Sequence, residues 1–80
     1  VILWANKIAA PYIITKPFHH SQIILKEEEG TITFSIDVVW NFELEKEILA
    51  FGEQIKVLAP NNLIRIIKKR LKKSLENYSK

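Results

Sequence analysis

From Thr31 to Trp40 the chain carries a period-two pattern: Ile32, Phe34, Ile36, Val38 and Trp40 fall on one side, and Thr31, Thr33, Ser35 and Asp37 on the other. Only an extended strand separates residues this way, because successive side chains of a strand point to opposite faces. Such a strand needs an apolar layer above one face and leaves the other wet. In a chain of 80 residues, 48% hydrophobic and 26% charged, that means one small core and one domain spanning residues 1–80.

Pro11, Pro17, Gly30, Gly52 and Pro60 divide the rest into short blocks. Val1 to Trp4, a β-branched and aromatic run, reads as a buried strand. A short helix is predicted from about Ala10, with Pro11 in the first turn, where proline is tolerated. Gln22 to Lys26 reads as a strand, and Glu27-Glu28-Glu29-Gly30 as the polar connection of a hairpin. Asn41 is placed to cap a second helix, with Glu43 and Glu45 near its positive end, Leu44, Ile48 and Phe51 on one face, and Gly52 at its C-terminal stop.

Gln54 to Ala59 alternates as a fourth strand. Pro60-Asn61-Asn62 ends it and is expected to cap a long helix, whose Leu63, Ile64, Ile67, Leu71, Leu75 and Tyr78 share one arc. The order β-α-β-β-α-β predicts an α+β fold, the ferredoxin-like split βαβ with a four-stranded antiparallel sheet, to which a C-terminal helix is added. Residues 1–60 form the sandwich and 61–80 the basic amphipathic helix. The layer over the third strand is expected to be Ile8, Tyr12, Ile13, Leu44, Ile48 and Phe51.

The net charge of +3 is unevenly placed. Residues 1–60 hold five lysines against eight acids (−3), whereas residues 61–80 hold seven basic residues against Glu76 (+6). Arg65, Lys68, Lys69, Lys72 and Lys73 are therefore the candidate contacts for a nucleic acid or an anionic effector. The competing expectation is a solvated helix back that keeps the domain soluble. Base stacking of the RNA-recognition kind is not expected, since the open side of the third strand offers Thr31, Thr33, Ser35 and Asp37 and no aromatic.

Cysteine is absent, which excludes disulfides, thiolate metal sites and cysteine nucleophiles, and fits a reducing compartment. His19, Ser21 and Gln22 form the densest polar cluster, but no acid at a useful spacing orients either histidine of the His19-His20 pair. They are expected to be structural, tying the end of the first helix to the second strand. Neither catalysis nor a metal or cofactor is expected, and the Glu27–Glu29 run reads as a solvated hairpin tip. No apolar run approaches the ~20 residues of a membrane-spanning helix, so no membrane partner is expected. The absence of Met and the opening in mid-strand read as a piece of a longer protein.

Phe18-His19-His20-Ser21-Gln22 resembles the Leu-His-x-Ser-Gln corner of the C-terminal region of bacterial WYL-domain regulators. Leu49-Ala50-Phe51-Gly52, Val57-Leu58-Ala59-Pro60 and the following Leu63-Ile64-Arg65 resemble later segments of the same region, in the same order. The likeness covers nearly the whole chain. It implies a WYL C-terminal extension (WCX), a ferredoxin-like module that follows a winged helix-turn-helix and the WYL domain in a cytoplasmic transcriptional regulator. The partners it implies are the WYL and helix-turn-helix domains of the parent chain, a second protomer in a homodimer, and a nucleic-acid or nucleotide effector. It assigns none of these to a particular residue.

Overall fold

The structure is a computed structural model and describes residues 1–79. Its elements are β1 (Ile2–Ala5), α1 (Ala10–Thr15), β2 (Ile23–Glu28), β3 (Thr31–Ser35), α2 (Phe42–Ala50), β4 (Ile55–Ala59) and α3 (Asn61–Asn77), with a single 3-10 turn at Gly52–Gln54. The strands form one sheet in the order β2-β3-β1-β4, every neighbouring pair antiparallel. This is the ferredoxin-like α+β sandwich with an added C-terminal helix. Among the described residues no helix is long and apolar enough to cross a membrane.

One face of the sheet holds the core. Leu3 and Ala5 of β1, Ile32 and Phe34 of β3, and Ile55 and Val57 of β4 are buried together with Ala9, Ala10, Ile13, Leu44, Ile48, Leu63 and Ile67. Phe18 joins from the loop after α1, its ring 6.2 Å from that of Phe34 and 5.9 Å from that of Phe51.

The third strand is shorter than its alternation predicts. It ends at Ser35, which pairs with Ile2 of β1 on one side and with Ile23 of β2 on the other. One more pair of bonds joins Val1 to Ile36, and beyond it the Asp37 N–H is taken by the Ser21 hydroxyl at 2.7 Å instead of by a strand. Ile36 is still buried, but Trp40 has left the sheet and its indole N–H donates to Glu45. The hairpin is correspondingly tighter: β2 runs on to Glu28, and only Glu29 (φ 50°) and Gly30 (φ 88°) make the turn. Two successive residues with positive φ match the twist of the strands they join.

The expected covering layer also needs correction at its first two residues, since Ile8 and Tyr12 are exposed and Ala9, Ala10 and Ile13 face the sheet. The Asn6 side-chain oxygen accepts the N–H groups of both Ile8 and Ala9 at 3.0 Å, an Asx turn that swings Ile8 outward before α1 begins.

The Asn41 side chain caps α2 by accepting the Leu44 N–H at 2.9 Å, and Gly52 follows the helix at φ 58°. Of Pro60-Asn61-Asn62, Pro60 occupies the cap position of α3, and its carbonyl accepts the N–H groups of Leu63 and Ile64. α3 packs along β4 and beside α2 through Leu63 and Ile67, while Leu71, Leu75 and Tyr78 farther along its arc are exposed.

Candidate functional site

The His19–Ser21–Gln22 corner is tightly bonded within the chain. Gln22 accepts the Phe18 N–H at 2.8 Å and donates to the Ile13 carbonyl at 3.3 Å, which joins the end of α1 to the entry of β2. His19 Nδ1 accepts the Ser21 N–H at 3.1 Å and lies 2.7 Å from the Ser21 hydroxyl. The Asp37 carbonyl is 3.3 Å from the same hydroxyl. With Asp37 N–H donating to Oγ, both functions of the hydroxyl are engaged. No hydrogen bond among the described residues joins a carboxylate to either histidine. The His20 ring lies 4.1 Å from that of His19, and both line a cavity of about 460 Å³ together with Asp37, Glu43 and Glu47.

The basic residues of α3 divide into two groups. Arg65, Lys68, Lys69, Lys72 and Lys73 are exposed. At 3.6 residues per turn they fall within one arc of about 140°, opposite Leu63 and Ile67. The structure thus gathers all five on one side of the helix, with Glu76 the acid on that arc. Lys68 also stands at the rim of an apolar cavity of about 350 Å³ between α2, β4 and α3. Arg70 lies outside the arc and is spoken for: its guanidinium meets Glu45 at 3.1 Å and sits 5.0 Å over the Phe42 ring.

The face of the sheet away from the core holds a group of residues that the sequence pattern did not single out. Strand register places Lys26 opposite Thr33, Thr33 opposite Trp4, and Trp4 opposite Lys56, so these four residues make one row across all four strands. Residues opposite one another share a face, and the alternation with buried Leu3, Phe34 and Val57 turns the row away from the core. The Lys56 ammonium lies 5.1 Å over the Trp4 ring. The expected burial of Trp4 is therefore only partial, and the open face does hold an aromatic. Alternation within Ile2–Ala5 would have placed Trp4 opposite Leu3; its alignment with two lysines depends on pairings between distant segments.

β2 forms one margin of the sheet and is exposed along all six residues, Ile23, Ile24 and Leu25 by 60%, 41% and 53%. The other margin, β4, is flanked by α3.

No curated protein matches the chain significantly. A family model, that of the WCX domain, matches residues 1–75. That span takes in the corner, all four strands and the five-residue basic arc, and the chain belongs to the WCX domain family.

Proposed function

We propose that this domain is the non-catalytic regulatory module of a WYL-type transcriptional regulator in the cytoplasm. It brings two protomers together through the β2 edge and contributes to effector sensing by the WYL domain of the same chain. The observation that carries this reading is the uncovered β2 margin. Edge strands are ordinarily blunted by charge, proline or a covering element, since their free N–H and C=O groups invite pairing with another chain. Here the charges, Lys26 and Glu27–Glu29, lie at one end, the pairing with β3 shifts register between Ile24 and Lys26, and the other end is Ile23-Ile24-Leu25.

An antiparallel pairing centred on Ile24 opposes Ile23 to the partner's Leu25 and carries the two glutamate runs to opposite ends of the seam. Registers shifted toward Glu28 would set apolar residues or like charges against glutamates. The same patch serves both protomers, as two-fold symmetry requires. One strand pair buries less than the ~1,600 Å² of a standard interface, so the domain alone dimerises weakly and its neighbours in the longer protein complete the contact. The non-catalytic part of the reading is supported by the corner, where the Ser21 hydroxyl is bonded on both sides.

Sedimentation equilibrium over a range of concentrations tests this. A concentration-dependent dimer that Leu25→Lys abolishes, with the circular dichroism spectrum unchanged, is the expected result. A monomer at millimolar concentration would overturn it.

The second reading, a nucleic-acid contact by α3, is favoured by the gathering of Arg65, Lys68, Lys69, Lys72 and Lys73 on one arc. Binding by that arc is sequence-independent, and its logarithm falls by about 0.9 per duplex phosphate neutralised for each log unit of salt.

A further inference from the structure

We propose that the open face of the sheet is a platform for single-stranded nucleic acid, with a base stacked on Trp4 and flanking phosphates held by Lys26 and Lys56. This does not depend on dimerisation through β2.

The row Lys26–Thr33–Trp4–Lys56 supplies the argument. Trp4 lies on β1, one of the two central strands, half-buried and held in place by the strands on either side. An indole on the open face of a sheet offers a stacking surface that any base can use. The two lysines stand at the ends of the row, three strand spacings apart, which is about 14 Å between their backbones. Lys56 already covers the ring at 5.1 Å, a cation on an aromatic face that an arriving base displaces toward its own phosphate. Lys26 is paired with Glu28 at 3.4 Å, but both side chains are more than 60% exposed and such a pair is weak and readily exchanged. Thr33 beside the indole, and Ser35 in the next row, offer hydroxyls to base edges.

The ligand class follows from this arrangement. A planar apolar group with negative charge on both sides of it satisfies one indole between two ammonium groups. A mononucleotide carries phosphate on one side only. A duplex keeps its bases stacked inside and shows the sheet only phosphates. A single strand has unstacked bases and a charge at every step.

Indole fluorescence gives a direct test. In Trp40→Phe, Trp4 is the remaining tryptophan, and a thymidine homo-oligonucleotide is titrated into the 80-residue chain. Expected are quenching of Trp4 on binding, a roughly 5- to 150-fold loss of affinity in Trp4→Ala, which is the range of base–aromatic stacking, and a weaker response to duplex. Lys26→Gln with Lys56→Gln should lower the salt slope by about 0.7 per lysine. Lys69→Gln with Lys73→Gln, on α3, should leave the quenching intact. Binding without quenching, or quenching lost with the α3 variants and kept with the sheet variants, would place the strand elsewhere and overturn the proposal, as would no binding at low salt. Should Trp40→Phe fail to fold, an oligonucleotide carrying a photoreactive thymine analogue makes the same distinction in the unaltered chain, cross-linking to Trp4 or to α3.

Discussion

Glu45 of α2 and Arg70 of α3 meet at 3.1 Å, and the same carboxylate accepts the Trp40 indole N–H at 2.8 Å through its other oxygen. One side chain therefore fixes the added helix to the sandwich and also pins the segment that leaves β3. Its 17% exposure shields the contact more than an ordinary surface pair. Arg70 is thereby removed from the pool of cations free to bind a partner, a distinction that its position in a lysine-rich run conceals.

Glu45→Ala should accordingly destabilise the fold by about 0.5–1.5 kcal/mol, since it removes the acceptor of the Trp40 N–H and of the Arg70 guanidinium at a partly exposed site. In a double-mutant cycle with Arg70→Ala, a coupling of about 0.5–1 kcal/mol is expected from denaturant unfolding. A coupling of zero would mean that the α2–α3 tie rests on apolar packing alone.

Phe34 is fully buried at the centre of the sheet, against Phe18 and below the helices. Phe34→Ala should cost about 3–5 kcal/mol, enough to unfold many domains of this size. Urea unfolding measures it, and a loss below ~1 kcal/mol would contradict the packing described.

Ser21→Ala removes the acceptor of the Asp37 N–H and the hydroxyl that lies 2.7 Å from His19 Nδ1. A loss of about 0.5–2 kcal/mol is expected, the scale of such a bond at a partly exposed site. Faster amide exchange should be localised to Asp37 and its neighbours.

Converting Lys68, Lys69, Lys72 and Lys73 together to Gln should change stability by no more than about 0.5 kcal/mol per position, because all four are exposed. If α3 contacts duplex DNA, the same variant flattens the salt dependence of binding, which an anisotropy titration at two salt concentrations reads.

Much of the sandwich is legible in the sequence where a signal is local. The alternation through Ile32 and Phe34, the Asn41 cap and Gly52 each act within a few residues, and each lies where the pattern puts it. The failures come from tertiary pairing. Alternation continues to Trp40, but the ladders with β1 and β2 both end at Ser35 and the Ser21 hydroxyl takes the Asp37 N–H. Ile8 and Tyr12 have helical spacing with Ile13, but the Asn6 turn sets where α1 starts and hence which side faces the sheet. The corner His19, Ser21 and Gln22 could be picked out as a cluster, whereas Ser21's long-range partner, Asp37, lies 16 residues away. The Lys26–Thr33–Trp4–Lys56 row is formed from four separate segments and has no signature in any one of them.

The absence of cysteine from the sequence allows a direct measurement of assembly through the β2 edge. Residues facing each other across an antiparallel pair lie ~4.5–5.5 Å apart at Cα, within the span a disulfide bridges. Ile24→Cys, placed at the proposed two-fold axis, should form an intermolecular disulfide rapidly under mild oxidation, while Lys46→Cys on the exposed side of α2 should not. Cross-linking of Ile24→Cys no faster than the Lys46→Cys control would contradict the account.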